Sequence, residues 1–247
     1  MSALVGAELL KLRTTRAWIG FVLAVMALSG IASAGTVGSA AAIDLGTSEL
    51  SRDILSSALF AVLVAFLVGV MSVTSEWRHG TVTRTFLVTP RRGRVLVAKE
   101  LSMAVVATVF GVLALVITLA IAVPWLAVEG SSLELNGGSV ALIGQILAAS
   151  VLWGALGVGV GAVIQSQTPA LVGSIIWILV VEALIQALLG LIDLEDIAHY
   201  LPGQALSAFD GTLDDGLPVW AGGVVGLAWV VALGVLGHVR MARQDVT

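Results

Sequence analysis

The sequence predicts an all-α integral membrane protein with six transmembrane helices. Of its 247 residues, 58% are apolar and only 11% are charged. A soluble domain carries about a quarter charged residues, so this composition excludes a water-soluble enzyme and a nucleic-acid-binding protein. The apolar content also excludes a disordered chain. The chain has no cysteine, which leaves no disulfide framework and no thiolate metal site.

The spans follow from the uncharged segments, because a helix needs about 20 apolar residues to cross the hydrocarbon core. The fourth and fifth spans come from one uncharged stretch, which we divide at the polar segment 165–169 because it ends in a helix-breaking proline. Lipid offers no partners to bare backbone, so each span must be helical. The predicted spans are about 17–43, 54–75, 99–123, 140–164, 169–192 and 219–239.

The first span has a competing interpretation as a cleaved signal peptide. Basic residues precede it, and Ala32, Ser33 and Ala34 resemble a signal-peptidase site. The uncharged run 17–43 is longer than the apolar region of a signal peptide, so we expect an intact span.

The basic residues predict the orientation. Six spans put eleven of the twelve lysines and arginines on one side, and only Arg52 on the other. The positive-inside rule makes the basic side cytoplasmic, so both termini are expected there. The eleven residues are Lys11, Arg13, Arg16, Arg78, Arg84, Arg91, Arg92, Arg94, Lys99, Arg240 and Arg243.

Residues 1–16 are predicted to form an amphipathic helix that lies in the inner membrane interface. A frayed basic tail is the alternative. The apolar face would carry Val5, Leu9 and Leu12, and the opposite face Glu8, Lys11 and Thr15.

Small residues recur at four-residue spacing within the spans, as in the pairs Gly157 and Gly161, and Gly222 and Gly226. Such stripes let helices approach closely in lipid, although apolar helices also produce them by chance. They favour a tightly packed bundle that pairs with a second copy of itself.

No residue pattern for catalysis is present. There is no Gly-Lys pair, and therefore no phosphate-binding loop of the Walker type, so this chain is not expected to hydrolyse ATP. His79, His199 and His238 fall in separate segments and predict no metal site. The basic segment 75–98 would suit RNA, but anchoring to anionic lipid explains it better, so no nucleic-acid partner is expected.

Glu182 is the ionisable residue deepest inside a predicted span. An acid in the membrane usually faces the bundle interior and often has a functional role. Ser174, Ile178 and Gln186 share its helical face, and Gln186 is expected to hydrogen-bond its carboxyl group. A functional charge and a purely structural hydrogen bond both remain open.

Several segments together resemble one family across nearly the whole chain. They are ELLKLRTTR at the N-terminus, EWRHGT followed by TFLVTPRRGRVLVAKE after the second span, WILVVEALI in the fifth span, and YLPGQALSAFDG beyond it. This combination resembles bacterial type-2 ABC exporter permeases, particularly those of actinobacteria. In that family the segment after the second span forms a coupling helix that docks on a separate ATPase subunit.

The resemblance assigns this docking role to Glu76, Trp77, Arg78, His79, Gly80 and Thr81. Glu76 is expected to be a surface carboxylate, and Gly80 to end the coupling helix with a positive φ. Family members often carry a second charged residue between the Glu and the Gly, and Arg78 fills that position.

The function implied by the resemblance is that of a permease subunit in the bacterial plasma membrane. It would export an amphiphile, such as a drug, a natural product or a lipid-like molecule, and would pair with a second copy. ATP and Mg would bind the partner ATPase, and no cofactor is expected on this chain. Residues 193–218 would form an external re-entrant segment. Candidate substrate-pathway residues are Trp153, Trp177 and Trp229.

A different class of protein remains as the alternative to an exporter. An ATP-independent channel or a membrane scaffold would carry the same six spans.

Overall fold

A computed structural model describes residues 1–40, 45–213 and 216–243 of the chain. The described residues are overwhelmingly helical and contain no strand. Six continuous helical segments are long and apolar enough to cross a membrane. The predicted fold class is therefore confirmed at this level: the architecture is that of a multi-pass membrane protein.

The described helices, in chain order, are α1 (Ser2–Thr14), α2 (Ala17–Ser39), α3 (Ser48–Ser56), α4 (Phe60–Arg78), α5 (Val82–Val88), α6 (Arg92–Val128), α7 (Gly137–Ile164), α8 (Gln167–Ile176), α9 (Glu182–Gly190), α10 (Glu195–Ala198), α11 (Pro202–Asp210) and α12 (Val219–Arg243). A 3₁₀ turn joins α3 to α4, and the π-helical segment Trp177–Val181 joins α8 to α9. The candidate spans are α2, α3 with α4, α6, α7, α8 with α9, and α12.

Two span helices are longer than the apolar segments that predicted them. The second runs over Ser48–Arg78 rather than 54–75, and the third over Arg92–Val128 rather than 99–123. A charged residue ends an apolar run but does not end a helix. The length of the apolar run therefore underestimates the length of both helices. The end of the first predicted span, residues 41–43, lies outside the described residues.

The centre of the bundle is the contact between α4 and α7, where glycines let the two backbones touch. A Cβ atom added at Gly69 would lie 2.2 Å from the Gly154 carbonyl oxygen, and one at Gly157 would lie 2.2 Å from that of Phe66. Gly222 of α12 approaches Ala205 of α11 in the same way, at 2.5 Å. These small-residue faces are therefore covered within the chain, and a second copy would have to use another surface.

The three basic segments of the sequence lie together at one end of the bundle. Lys11 of α1 contacts Glu76 at the end of α4, at 2.8 Å. Arg92, at the start of α6, donates a hydrogen bond to the Met241 carbonyl near the end of α12. Six spans require this arrangement, and the cytoplasmic assignment of this end stays a prediction.

At the opposite end lie Arg52 and the segment that follows the fifth span. The Arg52 guanidinium donates to the Gly211 carbonyl at 3.3 Å. Within the segment, α11 buries Ala205 and Leu206 against α12 and α7. The predicted segment 193–218 thus contains two short helices, while its residues 214 and 215 lie outside the described part of the chain.

Candidate functional sites at the two ends of the bundle

Four charged side chains from three helices meet where α1, α4 and α6 come together, and we call them the ion cluster: Glu8, Lys11, Glu76 and Lys99. The Lys99 ammonium lies 2.7 Å from Glu8 Oε2 and 2.8 Å from Glu76 Oε1. The Lys11 ammonium lies 2.6 Å from Glu8 Oε1 and 2.8 Å from Glu76 Oε1. Each lysine therefore bridges both glutamates, and the cluster is neutral overall.

Lys99 is the most deeply buried member, with only 2% of its side chain exposed. Its third N–H donates to the Ser72 carbonyl at 2.8 Å, so all three ammonium hydrogens have acceptors. Removing one partner of a buried ion pair is strongly destabilising because it leaves an uncompensated charge. The cluster therefore holds α1, α4 and α6 in one fixed arrangement.

Lys11 sits at the outer edge of the ion cluster, where about half of its side chain is exposed. Burial by itself lowers the pKa of Lys11. The hydrogen bonds and negative charges of Glu76 and Glu8 outweigh that effect and raise the pKa above its ordinary value. Lys11 thus stays charged throughout the physiological range.

The expectation that Glu76 is a surface carboxylate is wrong. Glu76 is 8% exposed and belongs to the ion cluster, where it also accepts a 3.5 Å hydrogen bond from the Thr85 hydroxyl. Glu8 is likewise buried, at 7%, although the amphipathic pattern assigned it to the polar face of α1. A helical wheel assigns Glu8 and Glu76 to the exposed face because they are charged. It cannot show that Lys11 and Lys99 neutralise both carboxylates and so allow them to be buried.

The remaining predicted docking residues differ in exposure. Trp77 is half-buried against the core, and its indole N–H has no hydrogen-bond partner among the described residues. Arg78 is exposed and donates to the Gln167 side chain at 3.2 Å. His79 and Thr81 are exposed as well.

Gly80 ends α4 as predicted, with φ of 64° and a hydrogen bond from the Thr81 N–H to the Glu76 carbonyl. The helix before Gly80 is not a separate coupling helix, because Glu76 to Arg78 form the last turn of the span helix α4. The separate short helix is α5, which follows the glycine. The resemblance implies a coupling helix that ends at Gly80, whereas the separate short helix of this link begins after that glycine, at Val82.

The most exposed part of this segment is the end of α5, which the sequence did not single out. Leu87 is 77% exposed and Val88 is 84% exposed. Arg84 and Arg91 are exposed on either side of them. On the opposite face of α5, Phe86 is buried beneath the Arg92 guanidinium, 4.9 Å from its ring centroid. We call the exposed residues Arg84, Leu87, Val88 and Arg91 the α5 tip.

A cavity of about 360 Å³ lies between α4, α7, α8, α9, α11 and α12. It brings together all three tryptophans that the sequence offered for a substrate pathway, and Glu182 with them. Its lining is otherwise almost entirely apolar. The lining residues are Phe66, Trp153, Leu156, Val160, Ile164, Gly173, Ser174, Trp177, Ile178, Glu182, Pro202, Gly203, Trp229 and Leu233.

Glu182 is 3% exposed and has partners that the sequence did not predict. Its Oε1 accepts from the Trp177 indole N–H at 2.8 Å and from the Gly203 backbone N–H at 3.0 Å. The expected hydrogen bond from Gln186 is absent from the described residues. Glu182 therefore joins the fifth span to α11.

The other two tryptophans hold different positions in the cavity wall. The Trp229 indole N–H donates to the Tyr200 carbonyl at 2.9 Å. Trp153 is buried and meets the Phe66 ring edge-on, with centroids 5.8 Å apart. Its indole N–H has no hydrogen-bond partner among the described residues.

Within the described part of the chain, no three acidic or histidine side chains come together to hold a metal ion. Comparison of the chain with protein-family models and with curated proteins finds no match.

Proposed function

We propose that this chain is the membrane-spanning permease subunit of an ATP-driven ABC exporter. It would work in the bacterial plasma membrane with both termini in the cytoplasm. A separate ATPase subunit would bind ATP and Mg, and a second permease copy would complete the transporter. The proposal rests first on the sequence resemblance carried by EWRHGT and its neighbouring segments.

One structural observation supports the proposal most strongly: the link between spans α4 and α6 is fixed to the bundle at its base and exposed at its tip. At the base, Lys99 and Lys11 bind Glu76, and Thr85 of α5 also reaches Glu76. At the tip, Leu87 and Val88 are exposed. A motor subunit needs an element of this kind, because force must pass from an exposed contact into the spans without loss.

The cavity supports the choice of an amphiphile as the substrate class. Aromatic and aliphatic walls suit an apolar body, while Ser174 and Glu182 add a few polar groups to the lining. Sites for small molecules are usually of this type: mostly apolar, with a few well-placed polar groups.

The α5 tip provides the test of the proposed function. Val88 and Val128 are both valines and are both 84% exposed, but they lie at opposite ends of the bundle. Val88→Asp would put a charge into the apolar contact with the ATPase, whereas Val128→Asp is the matched control. Tagged wild-type protein is purified from its native membrane in mild detergent, and co-purified ATPase activity is measured.

We expect ATPase activity to co-purify with the wild type and with Val128→Asp, and to fall at least about tenfold with Val88→Asp, as for loss of an interface anchor. Equal recovery from both variants would show that the motor contact lies elsewhere. If no ATPase co-purifies with the wild type, the channel or scaffold alternative takes precedence.

A further inference from the structure

A second groove runs between α6 and α12. Its volume is about 580 Å³. Glu100 and His238 are the ionisable residues in its lining. The lining residues are Gly93, Leu96, Val97, Glu100, Leu101, Ala155, Val230, Val231, Gly234, Val235 and His238.

Glu100 is unusual because its carboxylate is buried without a partner. Both of its oxygens are inaccessible to solvent, and neither has a hydrogen-bond partner in residues 1–40, 45–213 and 216–243. The neighbouring Lys99, in contrast, belongs to the ion cluster and is fully paired there. A buried carboxylate that lacks partners is costly, and a cation bound beside it would remove that cost.

The rest of the groove is apolar and open along its length. Leu101 and Val97 of α6 are 48% and 49% exposed, and Val231 and Val235 of α12 are both 57% exposed. Between two candidate membrane spans, such surfaces face lipid tails. A molecule that enters this groove therefore comes from the bilayer rather than from water.

The depth of Glu100 fixes where the head of such a molecule would lie. The His238 ring lies against Gly93, so close that a Cβ atom there would be 2.9 Å from Cε1. Gly93 is near the start of α6, and Glu100 lies about 10 Å further along that helix. Glu100 thus lies deeper in the span than the contact between Gly93 and His238. At that depth it is within reach of a head group whose tail lies along α12.

We propose that the groove between α6 and α12 binds a membrane amphiphile with an ammonium head group, and that Glu100 is its counter-ion. The apolar tail lies against Leu101, Val231 and Val235. The Glu100 side chain is itself half-buried, and a change of its rotamer brings the carboxylate, whose oxygens are otherwise inaccessible, to the ammonium. The opposite charges give the site its selectivity over uncharged amphiphiles of the same length. Binding at this site does not depend on the proposed function, because it requires neither an ATPase nor transport.

The test uses a photoreactive probe and the purified full chain in nanodiscs of digalactosyldiacylglycerol, an uncharged lipid that carries no ammonium group and therefore does not compete for the site. The probe is a hexadecylammonium, whose primary ammonium carries three N–H donors, with a diazirine in its chain, and the comparison probe has the same chain with a hydroxyl head. After illumination, mass spectrometry quantifies labelling of peptides from α6 and α12. We expect the ammonium probe to label these peptides about tenfold more than the hydroxyl probe, as for one hydrogen bond to a charged group.

Three variants separate the site from general membrane labelling. Glu100→Gln should reduce the ratio between the two probes to about one. Gly234→Leu should lower labelling by filling the groove while Glu100 stays intact, since a Cβ atom at Gly234 meets nothing within 4 Å. Glu129→Gln is the charge-matched control at the exposed far end of α6 and should behave as wild type.

Equal labelling of the wild type by the two probes would overturn the proposal. An unchanged ratio in Glu100→Gln would also overturn it, as would full labelling of Gly234→Leu. A failed co-purification of ATPase with the α5 tip variants would leave this experiment unaffected, so the two proposals fail separately.

Discussion

The indole N–H of Trp177 donates to the carboxylate of Glu182, five residues later, at 2.8 Å. In a regular α-helix, residues five apart point about 140° away from each other, since each residue turns the helix by 100°. The π-helical segment Trp177–Val181 widens the helix between them and brings the two side chains to one face. The irregular turn in the fifth span therefore creates the polar contact in the cavity wall.

This contact predicts that Gly203 and Glu182 act as a pair. A Cβ atom at Gly203 would lie 2.3 Å from Glu182 Oε2, so Gly203→Ala should displace the carboxylate. Glu182→Leu should remove the same hydrogen bonds directly. We expect each variant to lose about 1–3 kcal/mol of stability, the cost of leaving buried donors unpaired. The measurement is thermal unfolding followed by tryptophan fluorescence, and a Gly203→Ala variant as stable as wild type would contradict the prediction.

Glu182→Gln separates the charge from the hydrogen bonds. Glutamine keeps an oxygen acceptor for Trp177 and Gly203, so we expect normal membrane levels and a nearly normal melting temperature. If the charge is functional, transport of an amphiphile into inverted vesicles is lost. Full transport by this variant would leave Glu182 with a structural role only.

The ion cluster predicts unequal effects for two lysines with the same two partners. Lys99→Met should cost about 3–5 kcal/mol, because it leaves two buried carboxylates with a single, half-exposed cation. Lys11→Met should cost about 1 kcal/mol or less, because water screens its position. Detergent-solubilised variants are compared by thermal unfolding. Adding Glu8→Gln to Lys99→Met should restore part of the loss, and similar losses for both lysines would contradict this account.

Gly80 predicts a local effect on the segment that follows it. Its φ of 64° is disfavoured for a β-branched residue, so Gly80→Val should cost about 1–2 kcal/mol and loosen the turn. Gly80→Asn is the control, since asparagine tolerates this conformation. We expect trypsin to cleave at the exposed Arg84 faster in the valine variant alone, and ATPase co-purification to fall with it. Equal cleavage of both variants would show that the turn does not depend on glycine.

Asp210 predicts a dependence of stability on pH at the opposite end of the bundle. Burial raises the pKa of Asp210 to about 6, although hydrogen bonds from the hydroxyl and backbone N–H of Thr212 oppose the rise. The unfolded chain has the ordinary value of 3.8, so the folded state binds more protons between about pH 4 and pH 6. Stability from this residue therefore rises as pH falls from 7 to 5. The measurement is the melting temperature of wild type and Asp210→Asn between pH 7 and pH 5, and the rise on acidification should be smaller in the variant. An identical pH profile in both proteins would contradict the assignment.

The topology predicts which single cysteines react from outside the cell, and the absence of native cysteine makes the test clean. Ser48, at the start of α3, lies at the Arg52 end of the bundle, whereas Thr83 of α5 lies at the basic end. An impermeant maleimide should label Ser48→Cys in intact cells and Thr83→Cys only after lysis. Labelling of Thr83→Cys in intact cells would invert the orientation.

The sequence was a good guide wherever one local property determined the structure. Apolar length located all six spans, and the requirement for a positive φ identified Gly80. The small residues marked the close contact of α4 with α7. Each of these features depends on the residue itself or on its near neighbours in the chain.

The features that could not be predicted from the sequence depend on contacts between distant segments. The charge pattern places Lys99 among the basic residues of one end of the bundle, but its contacts with Glu8 and Glu76 make it the most buried ion of the cluster. Helical spacing predicts Gln186 as the partner of Glu182, but Gly203, whose N–H donates to the carboxylate, belongs to another helix. The spacing of Glu8 and Lys11, three residues apart on α1, was the one signal for the cluster in the sequence. It could not be interpreted without knowing that Lys99 of α6 packs against the same glutamates.

The ion cluster also bears on how the chain is assembled during synthesis. Glu8, Lys11 and Glu76 all precede Lys99 along the chain, so both carboxylates have left the ribosome before Lys99 does. When α6 enters the bilayer, Glu8 and Glu76 have therefore already been synthesised and can pair with Lys99 at the membrane surface. The order of synthesis therefore never requires Lys99 to enter the membrane unpaired. A protein that lacked residues 1–16 would lack Glu8, one of the two carboxylates that pair with this lysine.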